Sequence, residues 1–165
     1  MVRRLVRALK ALDAELAELD AQIETRFRQH EHAQVLTSLP GVGVVLGAEF
    51  VAVTGGDPAS FGSPDRLAGG AGLAPVPRDS GRISGNLHRP RRYNRRLLRV
   101  FYMSAQVSIQ RCEASKTYYN RKRAEGKRHT QAVLALARRR VNVLWALLRD
   151  GRSYQPPAPA PAVLA

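Results

Sequence analysis

The chain has 165 residues, 44% of them hydrophobic, which is enough for one packed domain with room for a helical appendage. Twenty-seven Lys and Arg against thirteen Asp and Glu leave a net charge of +14 and an isoelectric point near 11.3, a balance that calls for a polyanionic partner. No run approaches the ~18 consecutive apolar residues of a membrane span, the N-terminus lacks a signal-peptide apolar core, and the single Cys112 excludes an internal disulfide. Nucleic acid is therefore favoured over a membrane as partner, and a reducing, cytoplasmic compartment over an oxidising one.

Residues 1–33 carry Leu5, Leu9, Leu12, Leu16, Leu19, Ile23 and Phe27 at steps of 4, 3, 4, 3, 4 and 4, with acids around them and neither Gly nor Pro between. That spacing predicts a long helix with a heptad-like seam, suited to a coiled coil or antiparallel hairpin and to self-association through residues 5–27. A lone surface helix is the competing reading. This arm holds six acids and six bases, so the whole +14 resides in residues 34–165. His30 and His32 stand two apart and do not share a helical face, which argues against a metal site there.

Residues 35–54 read as two apolar helices joined by a Pro-Gly-Val-Gly turn, a helix-hairpin-helix pattern. Gly41 and Gly43 would leave backbone N–H groups bare at a helix start, where unpaired donors and the dipole favour a phosphate. A plain tight turn between core helices explains the same residues equally well. After a loop over 55–65 and a short helix around 66–71, the segment 69–88 is rich in Gly, Pro and Ser and cannot be one regular element. It contains Ser80, followed by Gly81 and bracketed by Arg78 and Arg82. Ser before Gly is a common turn pair, so from these residues alone a structural turn serine is the better reading.

The chain then becomes strongly cationic, with His88, Arg89, Arg91, Arg92, Arg95, Arg96 and Arg99. Leu97, Leu98, Phe101, Tyr102 and Ala105 recur at steps of three and four, which predicts an amphipathic helix continuing to about residue 117. Tyr118 and Tyr119 stand beside Arg121, Lys122, Arg123, Lys127, Arg128 and His129, a cluster suited to backbone phosphates and base stacking. Gly126 ends that helix, and an apolar seam from Val133 to Leu148 begins another, around which Arg138, Arg139 and Arg140 fan. Trp145 belongs to the core in this reading. The tail 153–165 is Pro/Ala-rich and is expected to be disordered or polyproline-like. No metal constellation emerges: the four His are scattered and Asp57, Asp65 and Asp79 are dispersed in loops. The fold expected is mostly α: a coiled-coil helix over 1–33, a helical domain over 34–152 with an irregular serine loop, and the tail.

The order LTSLPGVG, FGSPDRLAGGAGLAP, DSG and a basic NRRLLR helix resembles the C-terminal domain of the IS-110 family of insertion-sequence transposases, which includes the Piv-type DNA invertases. The resemblance runs from about Gln34 to Asp150; in place of the Gly that commonly precedes the family's Asn, this chain has Tyr93 before Asn94. It implies a serine nucleophile at Ser80 with Gly81, the lead-in at Gly72, Leu73, Ala74 and Pro75, and the hairpin at Pro40, Gly41 and Gly43. It also implies DNA as substrate, an RNA guide for target choice, and a bacterial, nucleoid-associated setting. Mg²⁺ would be held by a separate RuvC-like domain with a DEDD carboxylate set, whose strand-borne acids this sequence lacks. The expectation is a chain that binds nucleic acid but does not cut or join it alone. A non-catalytic binding remnant and a structural RNA-binding protein are the alternatives carried forward.

Overall fold

The computed structural model describes residues 1–156 except 78–80, 83, 86 and 89, and of Leu87 the backbone alone. Seven helices are described: α1 Val2–Arg28, α2 Ala33–Ser38, α3 Val44–Thr54, α4 Pro64–Gly70, α5 Arg95–Arg111, α6 Glu113–Ala124 and α7 His129–Asp150. The expected mostly helical fold is what the chain adopts. A two-residue antiparallel ladder, β1 Val76–Pro77 with β2 Leu87–His88, interrupts it, pairing Val76 with His88 and Pro77 with Leu87.

Helices α5 and α7 form the centre. Leu97, Val100, Phe101 and Ala105 on α5 meet Val133, Ala137, Val141 and Leu144 on α7, all fully or nearly fully buried. Phe50 of α3 meets Phe101 edge to face at 6.0 Å, the arrangement that ring quadrupoles prefer. Two ion pairs tie the periphery to this core, Arg99 of α5 with Glu49 of α3, and Arg138 of α7 with Asp65 of α4.

Helix α1 touches the domain only near its end. Phe27 is buried there against Gly47 of α3, where a β-carbon would stand 2.4 Å from the Phe27 ring. Leu5, Leu9, Leu12, Leu16, Leu19 and Ile23 stay exposed along the rest of the helix. Intrinsic propensity and i,i+4 pairs such as Glu24 with Arg28 support an isolated helix only modestly.

One boundary differs from the periodicity. The amphipathic pattern suggested a single helix through residue 117, but the chain breaks at Cys112, whose backbone is extended (φ −137°, ψ 114°). The bend turns α6 back so that it packs on both α5 and α7. The tail also departs from a fully loose one in its first residues: the Tyr154 N–H donates to Ser38 Oγ at 2.8 Å, and its hydroxyl lies 3.6 Å from Cys112 Sγ.

Candidate nucleic-acid interface

The expected nucleophile Ser80 lies outside the described residues, as do Arg78 and Arg89. Its surroundings are described. The β1–β2 ladder closes the base of the segment that contains it, and Gly72 turns the chain into that ladder with φ +69°. A β-carbon on Gly72 would stand 2.6 Å from the ring of Tyr93, so these two residues clamp the two ends of the loop region together. The Asn94 N–H donates to the Gly70 carbonyl at 2.7 Å, reinforcing the same junction.

Beyond the ladder, Asn94 caps α5: its Oδ1 accepts from the N–H groups of Arg96 and Leu97 at 2.9 and 3.1 Å. Arg91, Arg92, Arg95 and Arg96 are all exposed and make no ion pair among the described residues; Arg82 and His88 are exposed on the ladder side. The first turn of α5 holds no acid. Cations crowded onto the positive end of a helix dipole repel it and one another, a cost that a bound phosphate would remove. Arg82, His88, Arg91, Arg92, Arg95 and Arg96 are thus all exposed on the stretch of chain between Ser80 and the first turn of α5.

The Pro-Gly-Val-Gly turn is held differently at its two glycines. Gly41 has φ +83°, and a β-carbon there would meet the Ser104 carbonyl oxygen at 2.4 Å, so this residue is fixed by packing against α5. Gly43 is exposed, is the N-cap of α3 with extended backbone (φ −96°, ψ −176°), and has open space where a side chain would be. No side chain caps α3 and no acid lies in its first turn, leaving its N-terminal donors to solvent or a ligand.

What fixes this turn is one of the three arginines expected to fan around the last helix. Arg140 of α7 is 4% exposed; its Nε donates to Ser104 Oγ at 2.8 Å and its Nη2 to the Pro40 carbonyl. Burial pulls its pKa down to about 10, which leaves it charged at neutral pH. A signal was present in the sequence: position 140 falls three after Ala137 and four before Leu144, on the apolar face of α7. Successive residues on a helix diverge by about 100°, so the three consecutive arginines separate, Arg138 to Asp65, Arg139 over the Tyr118 ring and Arg140 inward.

The cluster 121–128 is partly committed to structure. Lys122 pairs with Glu125 at 2.7 Å, Arg121 lies 3.8 Å from the same carboxylate, and Arg123 Nη1 donates to the Lys127 carbonyl at 2.9 Å. The hydrogen bond from Lys122 holds the Glu125 carboxyl below its ordinary range. These cations suit the C-terminal end of α6, where the dipole is negative. Arg128 is exposed, and its backbone N–H is taken by Gln131 Oε1 at 3.0 Å.

The magnesium ion implied by the resemblance finds no ligand set here: among the described residues no three His, Cys, Asp or Glu side chains gather, Asp57 accepts from the Ala59 N–H, and Asp65 is paired with Arg138. Among the described residues, no helix is long and apolar enough to cross a membrane.

Comparison with known proteins matches the sequence of this chain to a family. The profile described as "Transposase IS116/IS110/IS902 family" matches residues 33–120, the stretch from α2 through the serine loop into α6. The chain is 68% identical over 156 residues to the insertion element IS900 uncharacterized 42 kDa protein of Mycobacterium paratuberculosis, covering 94% of this chain and 39% of that protein. It is 54% identical over 159 residues to the insertion element IS116 uncharacterized 44.8 kDa protein of Streptomyces clavuligerus (96% and 40% covered). A pilin gene-inverting protein of Moraxella lacunata is 31% identical over 127 residues (74% and 38% covered). The chain thus spans about two fifths of the length of these relatives. With more than half of its length matched by the family profile, this chain belongs to the IS116/IS110/IS902 family of transposases.

Proposed function

We propose that the chain is the part of an insertion-sequence transposase that grips DNA and presents Ser80 as nucleophile for strand exchange. The observation that carries this reading is the family match across residues 33–120 combined with the exposed cationic set Arg82, His88, Arg91, Arg92, Arg95 and Arg96 between Ser80 and the first turn of α5. In the reaction, Ser80 Oγ bonds to a backbone phosphorus and the bond from phosphorus to the deoxyribose oxygen breaks. The freed oxygen takes up a proton. Attack by another strand's hydroxyl reverses the step, joining the strands and restoring Ser80. Guanidiniums hold the phosphate bidentately and stabilise charge on its nonbridging oxygens, the role assigned to Arg78 and Arg82. Neither can serve as base, since arginine keeps its proton. Asp79 is the one acid adjacent to Ser80 in sequence, and a divalent cation held by the separate DEDD domain would help activate the attack. An RNA guide in target choice and a nucleoid setting belong to the same reading, as does self-association through the exposed α1 seam, 5–27.

The test combines this chain with the remaining portion of a full-length relative on supercoiled DNA carrying the element's ends, scoring detergent-resistant protein–DNA adducts. Ser80→Ala should abolish the adduct and strand transfer while changing DNA affinity less than ~2-fold, since no phosphate contact is removed. Adduct formation by the Ser80→Ala chain refutes the nucleophile assignment. Nucleic-acid binding without adduct in the unaltered chain points to a non-catalytic remnant, and co-sedimentation with ribosomes to a structural RNA-binding protein.

A further inference from the structure

A second cationic site lies at the α5–α6 break and shares none of its described lining residues with the serine loop. A cleft of about 840 Å³ opens between the end of α2, the first half of α6, α7 and the tail. Arg111, Arg121 and Arg139 line it, with Glu113 as the one carboxylate among the lining residues. The Arg121 and Arg139 guanidinium carbons stand 5.1 and 4.9 Å from the centroid of the Tyr118 ring, which holds both cations at the cleft wall. Arg139 has no carboxylate partner and Arg111 makes no ion pair among the described residues. Tyr154, anchored to Ser38 through its backbone N–H, contributes a second ring to the wall.

We propose that this cleft binds an unpaired nucleotide of a single-stranded nucleic acid, its phosphates on Arg111, Arg121 and Arg139 and a base against the Tyr118–Tyr154 wall. The inference rests on the reading that the chain handles nucleic acid, but not on Ser80. Shape decides between single strand and duplex. Duplex phosphates ride on the outside of a stiff cylinder and suit the convex, exposed arginines at the start of α5. A recessed volume in the range of ordinary ligand pockets, walled by aromatic rings and by guanidiniums of which Arg111 and Arg139 make no ion pair among the described residues, suits a flexible strand that can place one residue inside. An acidic peptide would meet the same arginines, yet gains little from two tyrosine rings.

The test titrates fluorescein-labelled single-stranded oligonucleotides, one DNA and one RNA of the same sequence, and a DNA duplex of equal length, against the full chain. The paired substitution Arg111→Gln with Arg139→Gln should weaken single-strand binding roughly tenfold while leaving duplex affinity nearly intact. It should also flatten the single-strand salt dependence by about 1.4 in the log–log slope, about 0.7 per lost phosphate contact. Arg95→Gln with Arg96→Gln should weaken the duplex and spare the single strand. Comparing the DNA and RNA strands identifies the natural source of the bound nucleotide. Photo-crosslinking of 5-bromouracil-substituted strands to the unaltered chain should label peptides containing Tyr118 or Tyr154, which keeps the test valid if the paired variant fails to fold. Equal loss of duplex and single-strand binding in the cleft variant, crosslinks confined elsewhere, or displacement by a polyglutamate peptide at lower concentration than by oligonucleotide would each overturn the inference. Absence of all nucleic-acid binding would overturn it together with the proposed function; duplex binding that survives with no single-strand site would overturn it alone.

Discussion

The two glycines of the Pro40–Gly43 turn make opposite predictions from one structure. Gly43 has backbone angles any residue adopts, nothing within 4 Å of its missing β-carbon, and a helix start without a side-chain cap. Gly43→Ser places a hydroxyl where it can accept from the first N–H groups of α3 and restricts the unfolded chain. The cap is worth a few tenths of a kcal/mol over Gly and the entropy effect ~0.4–1 kcal/mol, a net gain of about 0.6–1.4 kcal/mol. At this chain length that gain raises the melting temperature by roughly 1–6 °C. Gly41→Ala meets a left-handed φ of +83° and a carbonyl oxygen 2.4 Å from the new carbon. The left-handed penalty of ~1–2 kcal/mol and an overpacking cost of ~1–3 kcal/mol predict a loss of about 2–5 kcal/mol. Urea unfolding followed by far-ultraviolet circular dichroism measures both. The serine should, in addition, weaken duplex DNA binding several-fold, since its hydroxyl occupies donors otherwise offered to a phosphate. If Gly43→Ser destabilises the chain, the capping geometry is wrong. If it stabilises but leaves affinity untouched, the bare donors of α3 are not a phosphate site.

Three further outcomes follow from local geometry. Asn94→Ala removes both acceptor contacts at the start of α5 and should cost ~0.5–2 kcal/mol by the same unfolding assay, whereas Asn94→Asp should retain the cap. Leu12→Lys with Leu16→Lys falls on exposed positions, so monomer stability should change by less than ~0.5 kcal/mol, while sedimentation velocity should show a loss of self-association. Unchanged association would place the contact elsewhere. Burial works against ionisation of the Cys112 thiol, but hydrogen bonds from the Ser115 and Tyr154 side chains and from the Ser115 and Ala114 backbone hold it below its ordinary range. Its alkylation rate should therefore rise at lower pH than that of free cysteine, and Ser115→Ala should move the midpoint upward.

Much of the helical framework was legible because apolar spacing dominates it. The α1 seam, the apolar steps of α5 from Leu97 to Ala105 and the Gly126 interruption are written in residue type. The break at Cys112 was not, because neither Cys112 nor its neighbours Arg111 and Glu113 is a helix breaker and the bend is set by α6 packing on α7. The Val76–His88 pairing also escaped notice, since a two-residue ladder depends on how Gly72 and Tyr93 bring the loop ends together. At the candidate site, the exposed arginines around α5 could be named from charge alone. Arg140 could not, because arginine is ordinarily a surface residue and only its place on the apolar stripe of α7 betrays its burial. Ser80 rests on the family order of motifs rather than on described geometry.

Arg140 has a consequence for how the molecule attracts its partner. Its guanidinium is surrounded by neutral groups, the Ser104 hydroxyl and the Pro40 carbonyl, and among the described residues no carboxylate cancels it. Dissolved ions cannot enter the packed interior to shield a charge there, while they readily cloak the arginines outside. At contact distance its attraction for a phosphate docked on the glycine turn is thus screened less than that of the exposed arginines, whereas across the solvent added salt screens both. A lysine in its place would carry equal charge but, as a single ammonium on a flexible stem, would lose the forked grip that ties that turn to both central helices.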